Sequence, residues 1–274
     1  MTTYPTLTEL WHEEVENQLF ATVDELDFIA SIDTIRYANH FRAESMKFDF
    51  DLGRDLWLMK GRFTVLQREY LDLYQLHTFL DRCKSIGLGE AKRGVITSMP
   101  SKQPAIRDKK HRWGGCQLGW TFRGGDRYGQ PTLALHSRVA YIGYMGGADL
   151  ALAWVLAREI GERIGKVPED FAFEWILSSS QFHFFKSLPM LYSFGLEGEI
   201  LDERQWPDDK YPTIRGIRRW HKQVIRDYEN GVPLEAQKYG PLRRIRRRYE
   251  EYREGKRYST PLETLSLTPL RQRG

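Results

Sequence analysis

Cys116 is the residue of this sequence whose type and setting best suit covalent chemistry on a substrate. It stands at the start of an apolar segment, and a cysteine is a nucleophile only as the thiolate, which needs nearby positive charge or a helix terminus. Arg138, on the strand predicted to pair with that segment, offers this charge and a planar fork that holds a phosphate through two hydrogen bonds. The alternative is that Cys116 is a small buried hydrophobe, which is how we interpret Cys83 on the apolar face of a predicted helix.

Five other residues have side chains suited to binding a substrate. Asp149 lies near the start of a strongly apolar predicted helix, where it either reads a ligand or caps the helix. Lys92 and Arg93 are adjacent cations before a short β-rich run, and they suit either a phosphate or an exposed strand end. Gln181 and His183 have side chains that both donate and accept hydrogen bonds, although His183 among phenylalanines equally suits a packed core residue.

Length and composition predict a folded chain with a substantial hydrophobic core. The 274 residues, 41% of them hydrophobic and 13% aromatic, are enough for one large domain, alone or with an appended tail. We expect no membrane association, because no apolar run approaches the roughly 20 residues that span a bilayer, and no secretion signal is evident at the N-terminus. Two cysteines exclude a disulfide scaffold and a cysteine-based zinc site, so we expect a cytoplasmic protein without a metal.

The net charge of +4 is unevenly distributed along the chain. Residues 215–257 are dense in arginine, which indicates either nucleic-acid binding or a solvated helix with ion pairs four residues apart. We favour the solvated helix, because Glu250, Glu251 and Glu254 follow the arginines and no aromatic stacking motif accompanies them. We therefore divide the chain into a catalytic domain, 1–214, and a basic helical extension, 215–274.

The hydrophobic pattern predicts an α+β fold with a mixed or antiparallel sheet around one buried central helix. The elements that must position the candidate residues are a hairpin and the helix after it. The predicted helices are 6–35, 70–86 and 148–164, and the predicted strands are 46–50, 56–63, 94–98, 115–122, 131–139 and 171–176. The polar, proline-containing stretch 100–112 is predicted to be a loop.

Four segments occur in a fixed order: Lys92-Arg93-Gly94-Val95-Ile96-Thr97, Cys116 followed by Thr121-Phe122, His136-Ser137-Arg138-Val139, and Tyr144-Met145-Gly146-Gly147-Ala148-Asp149-Leu150-Ala151. Their order and spacing resemble those of thymidylate synthases and of the related enzymes that hydroxymethylate cytidylates. In that family the same segments read Arg-Arg-Ile-Ile-Val-Ser, a cysteine with Gln-Phe five residues later, Tyr-Gln-Arg-Ser, and Leu-Gly-x-Pro-Phe-Asn-Ile-Ala. The resemblance covers about residues 90–185 and implies a thymidylate synthase-like fold.

The resemblance also implies a reaction. Cys116 would add to C6 of a pyrimidine nucleotide, whose C5 would then take a one-carbon unit from 5,10-methylenetetrahydrofolate. Asp149 occupies the position at which the uracil-using enzymes have asparagine and the cytidylate hydroxymethylases have aspartate. A carboxylate accepts a hydrogen bond from the amino group of cytosine and repels the O4 acceptor of uracil. The substrate implied is therefore dCMP or CMP, and the product a 5-hydroxymethyl nucleotide.

The remaining candidate residues take binding roles in this resemblance. Arg138 would hold the phosphate together with Lys92 and Arg93 from the partner subunit of a homodimer. Gln181 and His183 would bond the sugar, and Trp113 would stack on the folate. The family also uses a glutamate on a helix, for which Glu13, Glu14 and Glu69 are candidates.

Two alternatives stay open at this point. One is a dUMP methylase, that is, a thymidylate synthase. The other is a catalytically inactive family member that serves as a nucleotide-binding or nucleic-acid-binding dimer, which the departures at Thr121, Val139 and Tyr141 favour. Retention of Cys116 favours an active enzyme.

Overall fold

The computed structural model describes residues 1–25, 35–48, 71, 73–88, 117–125, 130–182, 191–192, 195–237, 240–255 and 265–267. Six strands lie in these ranges: β1 Thr2–Thr6, β2 Ile35–Ser45, β3 Gln117–Arg123, β4 Thr132–Ser137, β5 Ala140–Tyr141 and β6 Ala172–Phe182. The same ranges contain six α-helices: α1 Leu7–Glu25, α2 Leu73–Ile86, α3 Gly147–Ile164, α4 Glu197–Leu201, α5 Pro212–Glu229 and α6 Gly240–Arg253.

The six strands form one open mixed sheet in the order β1-β2-β6-β4-β3, with β5 paired to β6. The pairs β1–β2 and β6–β4 are parallel, and the pairs β2–β6 and β4–β3 are antiparallel. A mixed sheet with helices is consistent with the predicted α+β class. No helix in the described ranges is both long and apolar enough to cross a membrane.

The hairpin β3–β4 forms where the alternating pattern predicts it. Trp120 pairs with Leu135 and Phe122 pairs with Leu133, and all four side chains are buried on the same face of the sheet. Helix α3 follows, with every residue from Gly147 to Ala157 buried, so the predicted buried helix is confirmed. It ends at Gly165, whose φ of 73° lies in the left-handed region that favours glycine at helix ends.

Helix α2 also confirms its prediction, because it ends at Ile86 and is followed by Gly87 with a φ of 56°. Cys83 on this helix is completely buried, and burial raises the pKa of its thiol to about 12, so it is an inert core residue.

Three predictions near the N-terminus and in β6 were wrong in their bounds. The helix expected over 6–35 ends at Glu25, and Ile35 begins β2 instead of closing a helix. The strand expected over 46–50 is displaced, since β2 ends at Ser45 and Met46–Phe48 follow it. Strand β6 continues to Phe182 instead of ending at 176. The predictions for 56–63, 94–98 and 100–112 lie outside the described residues.

Charged side chains concealed β2 from the sequence pattern. Its Arg42 is buried on the sheet face opposite Phe41 and Ala43, where it pairs with Glu174 of β6 at 2.9 Å and with Glu44 at 2.9 Å. A buried arginine is tolerated because both partners are carboxylates. That compensation comes from residues distant in sequence, so a local pattern does not reveal it.

The C-terminal helices build a second hydrophobic cluster. Its buried members are Leu191, Tyr192, Leu196, Ile200, Trp206, Ile214, Ile217, Val224 and Ile245, together with Leu19 of α1. The boundary predicted between 214 and 215 therefore falls inside α5. The predicted ion pair four residues apart is present as Arg246–Glu250 at 2.5 Å, and Arg248 pairs with Glu251, three residues away, at 2.9 Å. The solvated-face interpretation was wrong for these two arginines, because both are buried.

Candidate active site

Polar residues gather at the end of the sheet where β3 begins and β4 and β6 end. Gln117 of β3 lies opposite Ser137 of β4, and Ser137 lies opposite Leu177 of β6. At the same end Tyr141 pairs with Gln181. This polar end of the sheet leads directly into the first turn of α3. The chain order therefore brings the segment after Cys116, the segment before Arg138 and the start of α3 to one place.

Asp149 is buried at this end and has a specific partner. It is the third residue of α3 and is only 7% exposed, and the Gln117 Nε2 donates a hydrogen bond to its Oδ1 at 2.8 Å. Asp149 is thus not the helix N-cap, which is Gly146. Its side chain is directed to the residue that follows Cys116 in the chain.

Burial raises the pKa of the Asp149 carboxyl from its ordinary value of 3.8 to about 7, and the hydrogen bond from Gln117 opposes this shift. A position in the first turn of a helix also favours the carboxylate, but by only about 0.3–1 kcal/mol at exposed sites and up to about 2 kcal/mol when partly buried. A shift of about three units corresponds to roughly 4 kcal/mol. Desolvation therefore prevails, and near neutral pH both the acid and the carboxylate are populated.

Gln117 is a site residue that sequence reasoning missed. Its side chain is 2% exposed, and its Oε1 is buried without a hydrogen-bond partner in the described part of the chain. The register shifts between Gln117 and Gly119, so a bulge at the exposed Leu118 aims Gln117 toward α3. The available signal was a glutamine at the head of a buried strand, where a polar amide needs partners.

The start of α3 is fixed by two tryptophans. A π-helical turn, Ile142–Gly146, precedes α3, and the Trp11 Nε1 donates to the Ile142 carbonyl at 3.0 Å. A Cβ at Gly146 would lie 3.2 Å from the Trp11 Nε1 and 3.4 Å from the Trp175 ring. A Cβ here would require the rings to shift, so their packing against the glycine helps to set the position of Asp149 at the start of α3.

Further polar side chains line the ends of β4 and β6, and sequence reasoning did not select them. The Trp175 Nε1 donates to Ser137 Oγ at 3.1 Å, and the Asn39 Nδ2 donates to Ser180 Oγ at 2.5 Å. The Ser179 Oγ is buried and has no partner among the described residues. A buried polar group without a partner is able to hydrogen-bond a ligand or a water.

The structure describes two of the remaining predicted site residues, and the others lie outside the described residues. Arg138 was predicted on the strand paired with the Cys116 segment, which was wrong, because β4 ends at Ser137 and Arg138 is exposed directly after it. Gln181 lies in β6, in register with Tyr141, so its backbone belongs to the polar end of the sheet. The predictions that fall outside the described residues are Cys116, Trp113, Lys92, Arg93 and His183.

Of the glutamate candidates, Glu14 is buried on α1, Glu13 is exposed and Glu69 lies outside the described residues. Glu14 accepts a hydrogen bond from the Tyr4 hydroxyl, and burial raises the pKa of its carboxyl. It lies one helical turn beyond Trp11, which contacts the π-turn before α3. Its role in chemistry stays a prediction.

No protein-family model matches this chain, and no curated protein sequence matches it. The functional conclusion therefore depends on the residues and their geometry.

Proposed function

We propose that this protein is a thymidylate synthase-like enzyme that transfers a hydroxymethyl group to C5 of dCMP or CMP. Cys116 is the nucleophile and Asp149 reads the edge of the pyrimidine. The observation that carries the proposal is the buried Asp149–Gln117 hydrogen bond, since it ties the start of α3 to the residue that follows Cys116. The bond places the proposed base-reading carboxyl beside Gln117, one residue along the chain from the proposed nucleophile.

The acceptors at this site favour cytosine over uracil. When Asp149 is ionised, its carboxylate and the Gln117 Oε1, which has no partner among the described residues, are both hydrogen-bond acceptors in a buried setting. The protonated form of Asp149 also donates, so this selection acts through the carboxylate form. The exocyclic amino group of cytosine supplies two N–H donors, whereas uracil presents an oxygen at the same position. Placing that oxygen against two buried acceptors leaves three polar atoms unsatisfied, which costs on the order of 1–3 kcal/mol for each.

The pKa of Asp149 also suits proton transfer to the ring. When the Cys116 thiolate adds to C6, an electron pair moves through C5 and C4 to the ring nitrogen N3, which must then take a proton. An acid with a pKa of about 7 is half protonated at neutral pH and is therefore well matched to this step. The carboxylate left behind accepts from the amino group that remains.

The overall change needs no oxidant or reductant. The C5–H bond is replaced by C5–CH2OH: the carbon arrives at the oxidation level of formaldehyde, and water supplies the hydroxyl. The two C–N bonds between that carbon and the folate break, and the C5 proton and one proton of the water go to the two nitrogens of the departing tetrahydrofolate. Release of the Cys116 thiolate from C6 restores the aromatic ring and the free enzyme. Covalent addition makes C5 nucleophilic and divides one difficult substitution into easier steps.

The one-carbon donor, 5,10-methylenetetrahydrofolate, supplies the carbon when bound. At the polar end of the sheet, the Ser179 Oγ, which is buried and unpartnered among the described residues, offers one hydrogen-bonding group to a polar heterocycle such as a pterin. Trp113 would stack on its ring. Arg138 would bind the nucleotide phosphate, and Gln181 and His183 would bond the sugar.

We further propose that the enzyme is a cytoplasmic homodimer in which Lys92 and Arg93 of one subunit bind the phosphate held in the other. The resemblance supports this arrangement. The exposure of Arg138 beside Ser137 agrees with a phosphate that lies at the surface of one subunit, within reach of a second.

Tritium release tests the function directly. The protein is incubated with methylenetetrahydrofolate and dCMP, CMP or dUMP, each tritiated at C5. We expect tritium in water from dCMP or CMP at a rate at least about tenfold above that from dUMP. Cys116→Ala should abolish release, whereas Cys83→Ala, checked for folding by circular dichroism, should retain it.

Three results would contradict the proposal. They are release that survives Cys116→Ala, release from dUMP alone, and no release from any of the three nucleotides by folded protein. Release from dUMP alone, with formation of dTMP, would identify the methylase instead.

A further inference from the structure

Helix α5 carries a continuous row of exposed cations. Its exposed side chains in the described residues are Arg215, Arg219, Lys222, Arg226 and Glu229. The four cations recur every three to four residues, which places them on one face of the helix, about one turn or 5.4 Å apart. We call these four residues the basic stripe. It is about 16 Å long, given a rise of about 1.5 Å per residue.

The basic stripe is not neutralised within the described part of the chain. Arg215 donates to a backbone carbonyl, that of Asp208, at 3.0 Å, and no ion pair among the described residues includes a member of the stripe. Asp227 of the same helix accepts instead from the neutral amides of Gln223 and Gln237. The exposed acid of this helix, Glu229, lies three residues beyond Arg226 and forms no ion pair with it among the described residues.

The two C-terminal helices hold a disproportionate share of the charge. Together α5 and α6 contain eleven lysines and arginines and four acids, a net charge of +7 against +4 for the whole chain. The rest of the chain is therefore net acidic. A positive field confined to one part of a protein attracts a polyanion to that part.

The apolar face of α5 is not available for insertion into a lipid surface. Helices that lie on membranes insert their apolar side chains below the headgroups. Here Ile214, Ile217 and Val224 are all buried in the second hydrophobic cluster and are not available to insert. What α5 offers to a partner is charge alone.

We propose that the basic stripe binds the phosphodiester backbone of a nucleic acid without reading its sequence. A nucleic-acid backbone is a regular row of singly charged phosphates, which matches a regular row of cations at one-turn intervals. Three of the four cations are arginines, whose planar forks hold phosphate oxygens through two hydrogen bonds. This inference goes beyond the proposed reaction and does not depend on it.

Fluorescence anisotropy tests the inference with labelled 20-mers of single-stranded DNA, single-stranded RNA and duplex DNA. Each is titrated with the full-length protein at salt concentrations from 50 to 200 mM. We expect binding to weaken with salt, with a log–log slope of about −3 for four phosphate contacts. Arg219→Glu/Lys222→Glu should weaken binding at 50 mM salt at least tenfold and reduce the slope by about one for each cation lost. Tritium release, where present, should not change.

The matched control is Arg82→Glu/Lys84→Glu. Both residues are exposed on α2, and the net charge changes by the same amount. This variant should bind like the wild type. Equal loss in both double variants would overturn the inference, because net charge alone would then explain binding. Failure of the wild type to bind any of the three nucleic acids at 50 mM salt would also overturn it, as would binding to phosphatidylserine vesicles in their place.

Discussion

At the scale of single residues, Asp149 shows a conflict between stability and chemistry. A carboxyl in the first turn of a helix ordinarily stabilises the fold as the carboxylate. Burial reverses this, since the pKa of about 7 means that the folded state prefers the protonated acid. Near neutral pH the buried carboxyl therefore costs the fold stability, and strongly shifted pKa values of this kind cluster at functional sites.

Asp149→Asn should therefore stabilise the fold, and more so at high pH. The pKa of Asp149 is raised on folding, so its ionisation costs nothing below pH 4, costs progressively more between pH 4 and 7, and is constant above pH 7, at roughly 4 kcal/mol. Asparagine keeps an oxygen that accepts from Gln117 and has no charge to desolvate. Urea unfolding at pH 4, 6 and 8 should show a stability gain that grows to a few kcal/mol at pH 8.

The control for this experiment is Asp209→Asn, a change at an exposed aspartate in the turn before α5. It should leave the free energy of unfolding within about 0.5 kcal/mol of the wild type at each pH. A gain from Asp149→Asn that is the same at pH 4 and pH 8 would show that the carboxyl does not titrate as described. The same variant should also lose tritium release from cytidylates, because its amide does not supply the proton to N3.

At the scale of elements, the site depends on a π-helical turn held by two indole rings. Gly146→Ala should disturb this arrangement, because the new Cβ would lie 3.2 Å from the Trp11 Nε1 and weaken its hydrogen bond to Ile142. We expect a loss of about 1–3 kcal/mol in thermal unfolding experiments, as is usual when a tight core is overpacked.

Gly198→Ala on α4 is the matched control for Gly146→Ala. Gly198 is also helical, but a Cβ there would meet nothing within 4 Å. Alanine should stabilise this position by up to about 1 kcal/mol relative to glycine. Equal effects of the two substitutions on the melting temperature would show that the tryptophan packing at Gly146 is unimportant.

An element was predictable from the sequence when the contacts that stabilise it are made within a short stretch of chain. The hairpin β3–β4 and helix α3 were predictable because their apolar periodicity is local and strong. Strands β1 and β2 were not, because β2 contains Arg42, whose burial depends on Glu174 of β6, 132 residues away. For the site, the position of Asp149 near the start of a buried helix was predictable. Its bond to Gln117 was not, because a bulge in another strand creates it.

At the scale of the whole molecule, α1 connects the two hydrophobic clusters. The first hydrophobic cluster contains buried side chains of the sheet, such as Phe41 and Trp120, and four residues of α1: Leu7, Leu10, Trp11 and Val15. Leu19 of α1 belongs instead to the second hydrophobic cluster, that of the C-terminal helices. The same helix supplies Trp11 to the π-turn before α3. The basic C-terminal helices are therefore not an independent tail, because Leu19 of α1 packs in their hydrophobic cluster and α1 also supports the candidate site.

The proposed homodimer makes a further prediction about the whole molecule, because each site would combine Cys116 of one subunit with Arg93 of the other. Cys116→Ala and Arg93→Ala should each lower tritium release at least about a hundredfold when assayed alone. Mixed in equal amounts and allowed to exchange subunits, they should recover about a quarter of wild-type release. Random pairing makes half of the dimers hybrids, and each hybrid has one complete site out of two. Two different affinity tags would verify that hybrids form. Verified hybrids without recovered release would show that the phosphate of each site is bound within a single subunit.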